Sequence, residues 1–309
     1  MLTAIRHILN AMCFLSTALL VMSVTATQQT DSLERAIHAR IAELPGARVA
    51  VAYRHLGRAD SLFLNADTSY HAASTMKVPV MIALFRKIDA GELRLTDSIG
   101  LSNEFRSIVD SSVYSLGPGD DSDSALYARV GGRVEVGELI ERMIIRSSNL
   151  ATNAVIDLAG GGAHVTEIMR SLGARDIQVR RGVEDGKAYR AGLNNTTTAR
   201  DMATILAALE RGEAASPAST RAMREILFRQ EFNDGIPAGL PPGTRVAHKT
   251  GWITATAHDA AIVYPAQGPP YVLVVLTGGI PKHEDANRLT ADIARMVHAH
   301  ATAGGRSAQ

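Results

Sequence analysis

The sequence predicts a mixed α/β (α+β) chain: an antiparallel sheet flanked by N- and C-terminal helices, with an all-α lobe inserted between the strand sets. Three observations predict it. Short apolar, strand-like runs lie near both ends, at residues 49–64 and 245–276. Between them, apolar residues recur three and four apart, as on helices. The same helical spacing precedes the first strands and follows the last. Composition agrees: 309 residues, 46% hydrophobic and 20% charged, suit a globular chain with a large core and exclude whole-chain disorder.

Taken in order, Leu33, Ala36, Ile37, Ile41 and Leu44 mark a first helix, closed by Pro45-Gly46. Val49–Tyr53 and Ser61–Leu64 form a strand pair around Gly57. A helix spans about 74–90 and stops at Gly91. Residues 102–136 are polar and weakly periodic, which reads as a functional flap or mobile insertion. Helical patterns follow at 139–144, at 150–158 (stopped by Gly160-Gly161-Gly162), at 165–172, at 202–209 and at 221–230. Residues 174–195 are loop-like. Arg245–Thr250, Ala260–Tyr264 and Tyr271–Leu276 are strands, and the last helix covers about 285–300. The expected division is a sheet lobe from 27–82 and 231–309, a helical lobe from 83–230, and one catalytic domain made of both.

Residues 1–26 are expected to be a signal peptide. Arg6 and His7 precede an apolar run from Ile8 to Val24, and Val24-Thr25-Ala26 offers small residues for cleavage. The expected location is periplasmic or secreted, without stable membrane insertion after cleavage. Cys13, the single cysteine, lies in that run, so the mature chain would contain no disulfide, Cys-ligated metal or thiol nucleophile. The 32 basic and 31 acidic residues give no sign of a nucleic-acid partner. No histidine or acidic spacing fits a metal motif, Asp121 and Asp123 lack the rest of a calcium loop, and no cofactor is implied.

Of the basic residues, 27 are Arg and only 5 are Lys. Lysine can lose its proton when buried and arginine cannot, so each lysine is a candidate for chemistry. Two of them fall in motifs. Ser74-Thr75-Met76-Lys77 places a hydroxyl and an amine on one helix face, about 5–6 Å apart at Cβ. A neutral amine there can take the serine proton, and a helix start favours negative charge on oxygen. Ser147-Ser148-Asn149 lies between two helices, where Ser147 could relay a proton and Asn149 clamp a substrate carbonyl. Lys249-Thr250-Gly251 lies on a strand: Lys249 supplies positive field, Thr250 a hydroxyl for a carboxylate, and Gly251 room for a ligand along the edge.

Each motif occurs once, in this order, and together they resemble the serine β-lactamase and penicillin-binding-protein superfamily, class A in particular. The resemblance spans about residues 31–300. It implies a monomeric β-lactamase-like or transpeptidase-like hydrolase acting on a small β-lactam substrate. Ser74 would be the acylated nucleophile, with Lys77 its activating partner. Ser147 would pass a proton to the leaving nitrogen, and Asn149 would orient substrate. Lys249, Thr250 and Gly251 would bind it, and the Ser74 and Trp252 N–H groups would form the oxyanion hole. The acylation base, Lys77 or a loop carboxylate, stays open.

Two departures bear on function. Class A enzymes usually carry Asp where Ser148 stands. They also carry a loop Glu with Asn four residues later, to position the deacylating water. Glu184 is the candidate here, with Ala188 four residues on and Asp185 as fallback. Slow deacylation would make the chain a penicillin-binding D,D-peptidase-like enzyme or a β-lactam sensor instead.

Overall fold

A computed structural model describes residues 28–303; the expected signal peptide and Cys13 lie outside them. A helix, α1, covers 28–42. Strands β1 (Arg48–His55), β2 (Ser61–Leu64) and β3 (Tyr70–His71) follow, then a 3-10 turn at Ala73–Met76 and helix α2 (Lys77–Asp89). Short strands β4 (Ser98–Gly100), β5 (Phe105–Arg106), β6 (Val113–Tyr114) and β7 (Arg133–Glu135) lead to α3 (Val136–Ile145). Next come α4 (Asn149–Ile156), α5 (Gly161–Ser171), α6 (Gly186–Arg190), β8 (Thr196–Thr197), α7 (Ala199–Glu210) and α8 (Pro217–Leu227). β9 (Arg245–Ile253), β10 (Thr256–Tyr264), β11 (Tyr271–Gly278) and α9 (His283–Ala303) complete the chain.

The early and late strands join into one five-stranded antiparallel sheet ordered β2-β1-β11-β10-β9, the expected class. Strand period dictates two cores. Val49, Val51, Tyr53, Leu273 and Val275 pack with Leu33 and Ile37 of α1 and Leu289, Ile293 and Val297 of α9. The alternate positions, Ala50, Ala52, Ala260, Ile262, Val272 and Val274, join the core of the helical region. Helix α7 packs on this face, against β1, β10 and β11. Alanines at 50, 52 and 260 leave it room, so a helix numbered inside the helical lobe also serves the sheet.

Several boundaries differ from those expected. The 74–90 helix opens as a 3-10 turn. Gly161 and Gly162 belong to α5, since α4 already stops at Ile156. β9 runs through Gly251 to Ile253 and turns at Thr254-Ala255, with Ala255 at φ 52°. Residues 174–195 include α6. The 102–136 segment is no free flap: Asp121 and Asp123 bond to α3 and α4, and Asp185 holds Ser107 and Ile108. Such side-chain anchors have no period, so hydrophobic patterning cannot report them.

Candidate active site

The apolar run Val78–Phe85 has no polar face, and this part of α2 is accordingly buried all round, whereas Arg86–Asp89 reach the surface. It carries Lys77 into the core, where the side chain is 0% exposed. Desolvation draws the Lys77 pKa down to about 7, opposed by the Asp121 and Glu184 carboxylates. Ser74 lies one turn earlier, half-buried and facing a cavity of about 350 Å³. The chain reaches it through Ala73 at φ 46°, an unfavourable conformation for a side-chain-bearing residue. The Thr75 N–H and hydroxyl both donate to Ala72 O and lock the turn. β3 pairs with β8, and Ala72 N donates to Asn195 O, so the loop exit at 194–198 braces the segment before Ser74.

The second motif fills the junction between α3 and α4. Ser147 has φ 57°, and Ser148 caps α4 by accepting from Ala151 N. Lys77 Nζ donates to Ser147 O at 2.6 Å, to Asn149 Oδ1 at 2.9 Å and to Ser147 Oγ at 3.3 Å. Asp121 lies beneath, its Oδ2 accepting from Asn149 N at 2.9 Å and Leu150 N at 2.8 Å.

β9 is an edge strand of the sheet and brings the third motif in from the other side. Lys249, also 0% exposed, donates to Ser147 Oγ at 3.0 Å and to Thr250 O at 2.9 Å. Burial and the neighbouring Lys77 push its pKa well below the ordinary lysine range. Ser147 Oγ is thus within reach of two buried amines. A Cβ on Gly251 would lie 2.7 Å from Ser74 N and 2.9 Å from Thr75 N, so only glycine lets the strand pass this close. Trp252 packs edge-on against Phe232 and touches His283, where the cavity beside Ser74 meets a larger one of about 600 Å³.

The Glu184 loop is built differently. Asn153 of α4 clasps Val183 with both amide atoms, accepting from Val183 N at 2.7 Å and donating to Val183 O at 3.0 Å. Glu184 follows at φ 60°, exposed and lining the same cavity as Ser74 and Asn149. Ala188 is buried and offers no polar side-chain atom to hold it. Asp185 is 1% exposed and spends its oxygens on Ser107 Oγ, Ile108 N and Ala188 N. That removes Asp185 as a free base: these bonds favour its ionised form and already occupy it.

Among the described residues, three buried side-chain atoms lack a hydrogen-bond partner: His71 Nε2, Arg181 Nε and Thr250 Oγ1. All three belong to residues lining these two cavities. Unsatisfied buried polar groups are costly and rare, and these three are the ones free to bond a group that enters either cavity. The structure thus gathers Ser74, Lys77, Ser147, Asn149, Lys249, Thr250, Gly251 and Trp252 around one cleft, with Glu184 at its wall. Asp121, Asn153, His71 and Arg181 carried no motif in the sequence. The Asp120-Asp121-Asp123 cluster was the one visible signal, and it reads as a failed metal loop.

A family model described as the beta-lactamase enzyme family matches residues 32–301. A β-lactamase of Streptomyces albus G is 29% identical over 259 residues, covering 82% of this chain and 79% of its own length. A β-lactamase of Rhodobacter capsulatus is 27% identical over 267 residues, covering 84% and 85%. The structure of a β-lactamase from Sphaerobacter thermophilus superposes with a TM-score of 0.76 at 29% identity, over 88% of this chain and 97% of that one. A mutant of PBP-A, solved as an acyl-enzyme complex with penicillin G, superposes with a TM-score of 0.75 at 27% identity, over 87% and 95%.

Proposed function

The chain belongs to the beta-lactamase enzyme family, and on that premise we propose that it opens the β-lactam ring of penicillin- or cephalosporin-type antibiotics through an acyl-serine intermediate. The observation that carries the reading is the Ser147 hydroxyl between two buried lysines, at 3.3 Å from Lys77 Nζ and 3.0 Å from Lys249 Nζ. That arrangement suits proton transfer, since neither lysine is a solvated surface charge.

In this reading the Ser74 hydroxyl attacks the lactam carbonyl and its proton passes to neutral Lys77. Catalytic hydrogen bonds of this kind are often long before substrate arrives and tighten once it binds. With the Lys77 pKa near 7, about half the enzyme holds the amine neutral at that pH. The N–H groups of Ser74 and Trp252 receive the oxyanion. The C–N bond then breaks, and Ser147 passes a proton to the leaving nitrogen, recovering one from Lys77. Asn149 orients the substrate amide. Lys249 and the unpartnered Thr250 hydroxyl take the substrate carboxylate, and Gly251 leaves space for it. Glu184 activates water against the acyl ester. Every group comes from one chain, from both the sheet lobe (27–82, 231–309) and the helical lobe (83–230), so a monomer suffices. Among the described residues no helix is long and apolar enough to cross a membrane, and export through a cleaved leader is part of the proposal.

A second reading has its own observation: Glu184 has Ala188 where a polar partner would be useful. A slowly deacylating penicillin-binding enzyme or sensor would share the rest of the site. Incubation with a penicillin or a chromogenic cephalosporin, followed by peptide mapping, tests the proposal. The adduct is expected on Ser74. Absence of both adduct and turnover would redirect the search to other esters or amides.

A further inference from the structure

Ser147 adopts a positive φ of 57° at a junction only three residues long, between α3 and α4. The α4 cap, Ser148, comes after Ser147 and bonds forward into the helix, so it does not hold that backbone by itself. Ser148 N donates to Arg142 O at 3.1 Å and Lys77 Nζ to Ser147 O at 2.6 Å, and residues 121–123 add a hold on both flanks. Asp123 pairs with Arg142 on α3 at 2.8 Å, and Ser122 Oγ donates to Arg146 O at 2.6 Å. On the other side of the junction, Asp121 Oδ2 accepts from Asn149 N at 2.9 Å, Leu150 N at 2.8 Å and Tyr127 OH at 3.1 Å. Its second oxygen accepts from Asp123 N at 3.0 Å and closes the hook. The hook therefore grips the last turn of α3 and the first turn of α4 at once. Ser148 contributes a neutral cap, and α4 has no acidic residue of its own in its first turn. Asp121 supplies that charge, placed favourably for the helix dipole.

We infer that Asp121 is the positioning carboxylate of the second motif: supplied from a distant segment, it fixes Ser147 and Asn149 around the Lys77 amine and brings a carboxylate into electrostatic reach of that amine. The inference rests on the acylation reading above. The charged groups facing Lys77 are Asp121 from the hook, Glu184 from the loop and Lys249 from β9. Asp121 is the first of the carboxylates that raise the Lys77 pKa against desolvation. Removing its charge must lower that pKa, so neutral Lys77 would persist to more acidic pH. A purely structural anchor would slow the enzyme without moving its pH dependence.

The experiment is the rate of Ser74 acylation by benzylpenicillin against pH, in wild type and Asp121→Asn, with thermal unfolding recorded for each. The expected result is a plateau rate about 10–100-fold lower, as for a misplaced reacting group, with the acid limb displaced to lower pH. The double variant Asp121→Asn/Ser148→Asp, which returns a carboxylate at the cap, should restore both rate and limb toward wild type. An acid limb that stays in place or moves to higher pH would overturn the inference, as would a folded double variant with no recovery. Failure of both variants to fold would reduce Asp121 to a structural anchor and overturn it equally. If wild type itself never acylates Ser74, the proposed function fails instead, and the two failures are distinct.

Discussion

Lys77 and Lys249 are wholly buried and share one serine hydroxyl, whereas Glu184, on the wall of the same cleft, is exposed to solvent and positioned through its chain neighbours. The first region is set by the protein core: the buried, apolar first turns of α2, an edge strand of the sheet and a helix junction gripped from both sides. The second is set by local chemistry, one asparagine clasp and one buried Asp185 cap. Burial sharpens the first region, because low dielectric strengthens each polar contact and shifts each pKa. On the proposed mechanism, bond-making at Ser74 and water activation at Glu184 should therefore be separable by mutation.

The largest expected effect is at Lys77. Lys77→Ala should lower acylation by about 10²–10⁴-fold, or about 3–5 kcal/mol in barrier, measured as the rate of adduct formation. Lys77→Arg should be nearly as damaging, because arginine keeps its proton; an active Lys77→Arg enzyme would break the distinction between the two regions. The same lysine sets a pH dependence. Burial has lowered its pKa to about 7, so the neutral base is present above that pH and acylation should fall as pH drops through it. The folded state also binds fewer protons than the unfolded chain between about 7 and the ordinary lysine value, so this group makes stability rise with pH across that window.

Gly251→Ala comes next. Its new Cβ would press on Ser74 N and Thr75 N, and the strand must retreat from Ser74. Acylation should fall by about 10²-fold, with a much smaller shift in unfolding temperature, because the strand can give at the sheet edge. Asp185→Ala follows, with about 1–3 kcal/mol of lost stability from orphaned Ser107 and backbone partners. Its carboxyl pKa is held below the usual value by those hydrogen bonds, against the opposing effect of burial. Its contribution is therefore present above the ordinary carboxylate pKa and is lost as pH falls through the lowered one. Chemical denaturation at two pH values checks both points. Ser148→Ala is the smallest, costing about 1 kcal/mol as a lost cap, read from the unfolding midpoint.

The same contrast governs what could be read from the sequence. The strand sets and both terminal helices follow from period-2 and period-3.6 patterns, which survive because burial acts on every turn. Ser74, Lys77, Ser147, Asn149 and Lys249 were legible as motifs with fixed local spacing, and two of five lysines fell in them. Asp121 and Asn153 were not, since each acts across 28 or 30 residues through hydrogen bonds to distant backbone groups, which leave no periodic trace. Asp185 illustrates the opposite error: as a neighbour of Glu184 it looked available, yet three donors already claim its oxygens. The 3-10 turn before α2 escaped because its residues, Ala73–Met76, carry no sign of a change in helix type.

The most direct test of the account follows intact mass over time after mixing a penicillin with wild type and with Glu184→Ala. The account predicts that both form the Ser74 adduct at comparable rates, that wild type returns to its free mass with turnover, and that the variant stays acylated while turnover falls. A wild type that itself accumulates adduct would contradict the hydrolase assignment and favour a penicillin-binding enzyme or sensor. A Glu184→Ala variant that turns over like wild type would contradict the water-activating role of this loop.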